Sequence, residues 1–131
     1  MDERELQART KRFALRVMKL VDALPHNPSG FAIARQLVRS ATSVAANYRA
    51  ACRGRSRPEF ISKLGTVEEE ADESALWLEL IIDGGLMSAT KVRPLHSEAT
   101  QLVAITATSR ITARNNHWSS IANRKSKIEN P

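Results

Sequence analysis

The sequence predicts an all-α fold, an antiparallel up-down four-helix bundle. Three observations predict it. Between glycine and proline breaks, the apolar residues recur every three or four positions, the helical period. No stretch alternates apolar and polar residues as a strand does, and no repeat recurs at a fixed period. The breaks are short, which makes successive helices antiparallel neighbours. At 131 residues the chain fits one domain with a modest core.

The first helix is expected over residues 3–24, with Leu6, Phe13, Val17, Leu20, Val21 and Leu24 on one face and Arg9, Arg12, Arg16 and Lys19 as a separate stripe. Pro25, Pro28 and Gly30 mark the first connection. The second helix is expected over 30–53, capped by Asn27 or Ser29 with Pro28 near its start. Ile33, Leu37, Ser40, Val44, Tyr48 and Ala51 share its core face; Arg35, Arg39, Arg49 and Arg53 lie opposite. Between them runs a small apolar strip, Ala34, Val38, Ala45 and Cys52, which admits a close neighbour and suggests self-association.

Ser56-Arg57-Pro58-Glu59 reads as a capping box opening the third helix, and Asp83-Gly84-Gly85 as its end. Its core face is Phe60, Leu64, Val67, Ala71, Ser74, Leu78 and Ile82. The back face is acidic at Glu69 and Glu73, then apolar at Leu76, Trp77 and Leu80. One bundle core uses only one face, so these five residues are the expected subunit interface. The fourth helix is expected over 90–113, with Pro94 in its first turn and Leu95, Ala99, Leu102, Ile105, Thr106 and Ser109 on one side. Residues 1–113 then form the bundle, and 114–131 a polar, basic, flexible tail whose Trp118 and Ile121 are apolar enough to dock back but have nothing that fixes them.

Net charge is +6 and unevenly spread. Residues 25–57 hold six arginines and no acid, whereas 58–87 hold one lysine and eight acids. Adjacent blocks of opposite sign pair within or between subunits, or leave basic surface for phosphate. Arginine suits phosphate because its planar fork donates two parallel hydrogen bonds. The candidate nucleic-acid set is therefore Arg9, Arg12, Arg16 and Lys19 together with Arg35, Arg39, Arg49, Arg53, Arg55 and Arg57. The alternative is that the second-helix arginines are used up by the acidic third helix, and that the first-helix stripe is a solvated face.

Other chemistry finds little footing. Glu69 and Glu73 lie one turn apart, but no Glu-x-x-His pattern accompanies them, and His26, His96 and His117 are scattered, so no metal is expected. Cys52 has no partner histidine and reads as a small core residue; as the single cysteine it agrees with a reducing compartment. Gly84-Gly85 has no phosphate-loop pattern. No catalytic acid, base or nucleophile is assembled, so neither an enzyme nor a cofactor is expected. No apolar run approaches the ~20 residues of a membrane span, and the start is charged without a signal-peptide core, so no membrane association and a cytoplasmic location are expected.

The run Gln36-Leu37-Val38-Arg39-Ser40-Ala41-Thr42-Ser43-Val44-Ala45-Ala46-Asn47-Tyr48-Arg49 resembles the bacterial four-helix-bundle family, also called the 23S ribosomal RNA intervening-sequence protein family. The likeness continues through Pro58-Glu59-Phe60-Ile61-Ser62-Lys63-Leu64 and Glu68-Glu69-Glu70-Ala71-Asp72-Glu73-Ser74 to Trp77-Leu78-Glu79-Leu80, and covers roughly residues 10–113. It implies an up-down bundle assembled as a ring-like homopentamer. That family is in turn similar in fold to the accessory variability proteins of diversity-generating retroelements, which bind nucleic acid and a reverse transcriptase; the implied partners are RNA or DNA and a nucleic-acid enzyme. Many relatives carry a glutamate shortly after the Asn47 position; Ala50-Ala51 stand here, so a role for that acid does not transfer.

Overall fold

Each of the first three helices in the computed structural model begins at a side-chain cap. The structure describes the backbone of residues 1–129 and the side chains of 1–116. Helix α1 spans Glu3–Val21; Asp2 caps it by accepting from the Glu5 amide at 2.8 Å. Glu3 and Glu5 in the first turn and Lys19 in the last suit the helix dipole. The helix stops before the expected residue 24, yet turn hydrogen bonds from Ala23 and Leu24 to Leu20 and Val21 keep Leu24 buried. Helix α2 spans Pro28–Cys52, and Asn27, rather than Ser29, is its cap, accepting from the Gly30 amide at 2.8 Å. A Cβ on Gly30 would sit 1.9 Å from the Pro25 carbonyl oxygen, so only glycine allows the chain to fold back this tightly.

Helix α3 spans Arg57–Asp83. Half of the expected capping box forms at its start: Ser56 accepts from the Glu59 amide, while the Glu59 carboxylate accepts from the Arg55 amide, one residue before the cap. Gly85, at φ +68°, turns the chain after it. Helix α4 spans Ala89–Glu129 and passes the expected limit near residue 113. Pro94 lies in its second turn, where the missing N–H costs the exposed Thr90 carbonyl a donor. The tail expected over 114–131, with Trp118 and Ile121, lies outside the described side chains apart from Arg114–Asn116. Among the described residues there is no strand, and no helix is long and apolar enough to cross a membrane.

The helices pack in chain order, α1 on α2, α2 on α3 and α3 on α4, with a shorter α4–α1 contact closing the bundle. The core is built from the faces the periodicity marks: Phe13, Val17, Leu37, Val44, Leu64, Val67, Leu78 and Leu102 are all fully buried. The α3 core face is rotated slightly from expectation, with Ile81 fully buried and Ile82 only partly. Residues 81 and 82 are both isoleucine, so composition could not choose between them. The small strip on α2, Ala34, Val38, Ala45 and Cys52, is half-buried and borders α1 at two of its residues. Ala45 faces a crevice lined by Gln7, Ala8 and Ala14 of α1, and Cys52 lies beside Glu3 and Gln7. The close neighbour the strip admits is thus in part α1 of the same chain.

Candidate nucleic-acid interface

Polar contacts fasten three seams of the bundle and decide which charges stay free. Between α1 and α4, Arg9 donates from Nε and Nη2 to the two Glu98 oxygens, at 2.7 Å each, and from Nη2 to Gln101 at 2.8 Å. This bidentate pair raises the Arg9 pKa above its ordinary value, chiefly through the hydrogen bond to Glu98. Between α2 and α3, Arg39 reaches Glu70 at 3.2 Å and also Glu73. Beneath it Ser40 and Ser74 share a buried hydroxyl contact of 2.8 Å. Between α3 and α4, Arg110 pairs with Glu68 at 2.9 Å, His96 contacts Glu79 at 3.1 Å, and Arg57 donates to the Ala113 carbonyl at 3.3 Å.

These contacts sort the ten basic candidates. Arg9, Arg39 and Arg57 are engaged within the chain. Arg12, Arg16, Lys19, Arg35, Arg49, Arg53 and Arg55 are exposed and form no ion pair among the described residues. On α2, steps of 100° bring Arg35, Arg49 and Arg53 onto one outward ridge, with the small residues Thr42 and Ala46 between them. Arg39 leaves that ridge because its side chain leans toward the α3 carboxylates. No acid occurs between Asp22 and Glu59, so nothing on α2 itself neutralises the ridge.

Sequence reasoning did not place Lys91 beside the first-helix stripe. Arg16 and Lys19 border an open groove of about 290 Å³ with Lys91 of α4, floored by Leu20, Met87 and Leu95. Lys91 has no cation three or four residues from it in its own helix, and only the antiparallel packing of α4 on α1 brings it there. No periodic signal within either helix pointed to it.

The five interface candidates separate as well. Leu76 and Leu80 are exposed on the outer face of α3 with Glu69. Glu73 is drawn to Arg39 in the same chain, and Glu69 makes no ion pair among the described residues. Trp77 packs partly against the core; its Nε1 is buried and meets no acceptor within the described chain. Cys52 is half-buried, and burial pushes its thiol pKa up. It sits near the Tyr48 hydroxyl, whose pKa is raised too, first by burial. Among the described residues no three His, Cys, Asp or Glu side chains converge as metal ligands do.

The arrangement defines a class: a helical bundle whose charged groups lie on its outer faces and whose interior is packed side chains. Comparison with known proteins gives the family. The profile of the 23S rRNA-intervening sequence proteins matches residues 3–108, and the chain belongs to that family. It is similar to a crystal structure from Bacteroides thetaiotaomicron, a protein with unknown function from the S23 ribosomal protein family. The identity is 28%, the TM-score 0.78, and the match covers 84% of this chain and 98% of that one. No curated protein matches the chain significantly.

Proposed function

We propose that this chain is a non-enzymatic, cytoplasmic accessory protein that assembles as a ring of five copies and binds RNA or DNA through basic helix faces. The observation that carries the reading is the α2 ridge. Arg35, Arg49 and Arg53 are exposed, aligned and without carboxylate partners among the described residues, and Arg55 is exposed in the connection that follows. Arg12, Arg16 and Lys19 of α1, with Lys91, supply a second basic surface. Such a surface follows a phosphate backbone and reads little sequence. In a ring each ridge recurs once per subunit, so modest contacts add through multivalency. The exposed Leu76 and Leu80 support self-association. A nucleic-acid enzyme fits as a further partner, by the fold-level resemblance alone.

A salt titration of binding to short RNA and DNA duplexes tests this. Each neutralised phosphate adds about 0.7–0.9 to the log–log slope, so three arginines of one subunit account for roughly 2–3. Replacing Arg35, Arg49 and Arg53 together with alanine is expected to flatten the slope by about that much and leave the assembly mass unchanged. Wild-type protein that binds neither duplex at low salt refutes the nucleic-acid reading.

A second reading, a structural or protein-interaction module that binds no nucleic acid, is favoured by one observation. Arg9 and Arg39, the arginines closest to carboxylates of other helices, are spent on holding the bundle. The same titration separates the two readings.

A further inference from the structure

Four large apolar side chains stand out from two helices in matching pairs. Leu15 and Met18 of α1 are 55% and 46% exposed; Leu76 and Leu80 of α3 are 48% and 39% exposed. Residues three and four apart are surface neighbours on a helix. By that rule Leu15 is bordered by Lys11, Arg12, Met18 and Lys19, and Leu76 by Asp72, Glu73, Glu79 and Leu80. One patch is an apolar pair among three cations, with a single carboxylate, Asp22, one turn beyond Met18. The other is an apolar pair among three carboxylates.

The cations of the first patch form no ion pair among the described residues, and neither does Asp72 of the second. Glu73 and Glu79 are held by Arg39 and His96, yet 37% and 53% of their side chains remain exposed. The α1 and α3 helices are not packed side by side but stand at diagonal corners of the bundle. The two patches therefore face away from one another and cannot meet within one chain. Nor does a two-fold dimer satisfy both, since a contact between opposite sides leaves one patch of each copy unused.

We infer that the Leu15–Met18 patch of one copy receives the Leu76–Leu80 patch of the next, a head-to-tail contact repeated in one direction around a closed assembly. The inference rests on the self-association reading above and specifies its surface. Opposite charges around an apolar centre fix register and reject a like-patch pairing, in which three cations would face three cations. The α2 helix, which packs between α1 and α3, is left uncovered. Its Arg35, Arg49 and Arg53 then recur on the same side of each subunit, which narrows the phosphate-binding surface to α2.

Light scattering on the full chain tests this, with circular dichroism as the check on folding. The variants are Lys11→Glu with Lys19→Glu, Asp72→Lys with Glu79→Lys, and all four together. The wild type is expected as an oligomer at micromolar concentration. Each two-site variant should fall toward the 14.5 kDa of a single chain, and the four-site variant should regain the oligomer because its charges are opposite again. Leu15→Ser, which keeps every charge, should lower the mass too, and serves if a charge variant does not fold. A wild type of single-chain mass overturns self-association itself. An oligomeric wild type whose two-site and Leu15→Ser variants keep its mass overturns only the α1–α3 pairing, as does a folded four-site variant that stays dissociated.

Discussion

Replacing Glu98 with glutamine removes the carboxylate that ties α1 to α4. The magnitude follows from the geometry. An exposed ion pair contributes about 0.2–1 kcal/mol. Stripping one partner from a fully buried pair costs about 3–5 kcal/mol. The Arg9 and Glu98 side chains are 19% and 15% exposed, and two donors meet two oxygens at 2.7 Å, so the pair lies between these limits. Gln101 still offers Arg9 a neutral acceptor at 2.8 Å, which leaves the guanidinium partly satisfied and pulls the cost toward the lower limit. The expected loss is about 1–2 kcal/mol. That corresponds to a fall in melting temperature of roughly 3–10 °C for a chain of this size. Thermal unfolding followed by circular dichroism measures it, at one fixed protein concentration because assembly shifts apparent stability. A double-mutant cycle with Arg9→Ala isolates the pair. A coupling energy below ~0.3 kcal/mol would refute the argument that this contact closes the bundle. The pH sign is set by Arg9. Its pKa is raised in the folded state, so its contribution is fully present below the ordinary arginine range and is lost only as pH rises through it.

Gly30→Ala is expected to destabilise by about 2–4 kcal/mol, because the new methyl collides with backbone at Pro25 rather than with a movable side chain; urea midpoints read it, and a change within ~0.5 kcal/mol would contradict the geometry. Ser40 and Ser74 have two hydroxyl protons for three contacts, to each other and to the Leu37 and Glu70 carbonyls, so one contact always goes without a proton. Replacing both with alanine should therefore change stability by no more than about 1 kcal/mol, and a loss above ~3 kcal/mol in chemical denaturation would count against that accounting. Burial raises the Cys52 thiol, so the folded state favours its neutral form: iodoacetamide should alkylate it several-fold more slowly at pH 8 than an unfolded control, and its contribution to stability is full below the ordinary thiol range and lost as pH climbs through it. Equal alkylation rates in the two states would refute that protection.

The parts of the fold written in local chemistry were legible in the residues. Ser56-Arg57-Pro58-Glu59 announces the start of α3 because a cap needs only a side-chain oxygen and an amide three residues on. Phe13, Leu37, Leu64 and Leu102 announce the core faces because helical periodicity is a property of one segment alone. The unpartnered Leu76 and Leu80 of α3 were visible for the same reason.

The fate of each charge was not legible, since it depends on the azimuth at which a second helix arrives. Arg9 and Arg12 sit in one stripe of α1. Packing turns Arg9 onto Glu98, 89 residues away, and leaves Arg12 in solvent. Arg39 and Arg49 both belong to the arginine set opposite the core of α2. A difference of about 80° around the axis sends Arg39 to Glu70 and Glu73 and keeps Arg49 outward. Ala45 and Cys52 came to border α1, and Lys91 joined Arg16 and Lys19, only through helix packing. Sequence by itself determined the four helices, the Ser56 cap and most of the sides they bury, because hydrogen bonding and apolar period act within a few residues. The tertiary structure alone decided which cations are free, because an ion pair forms only where packing brings a carboxylate within a few ångströms.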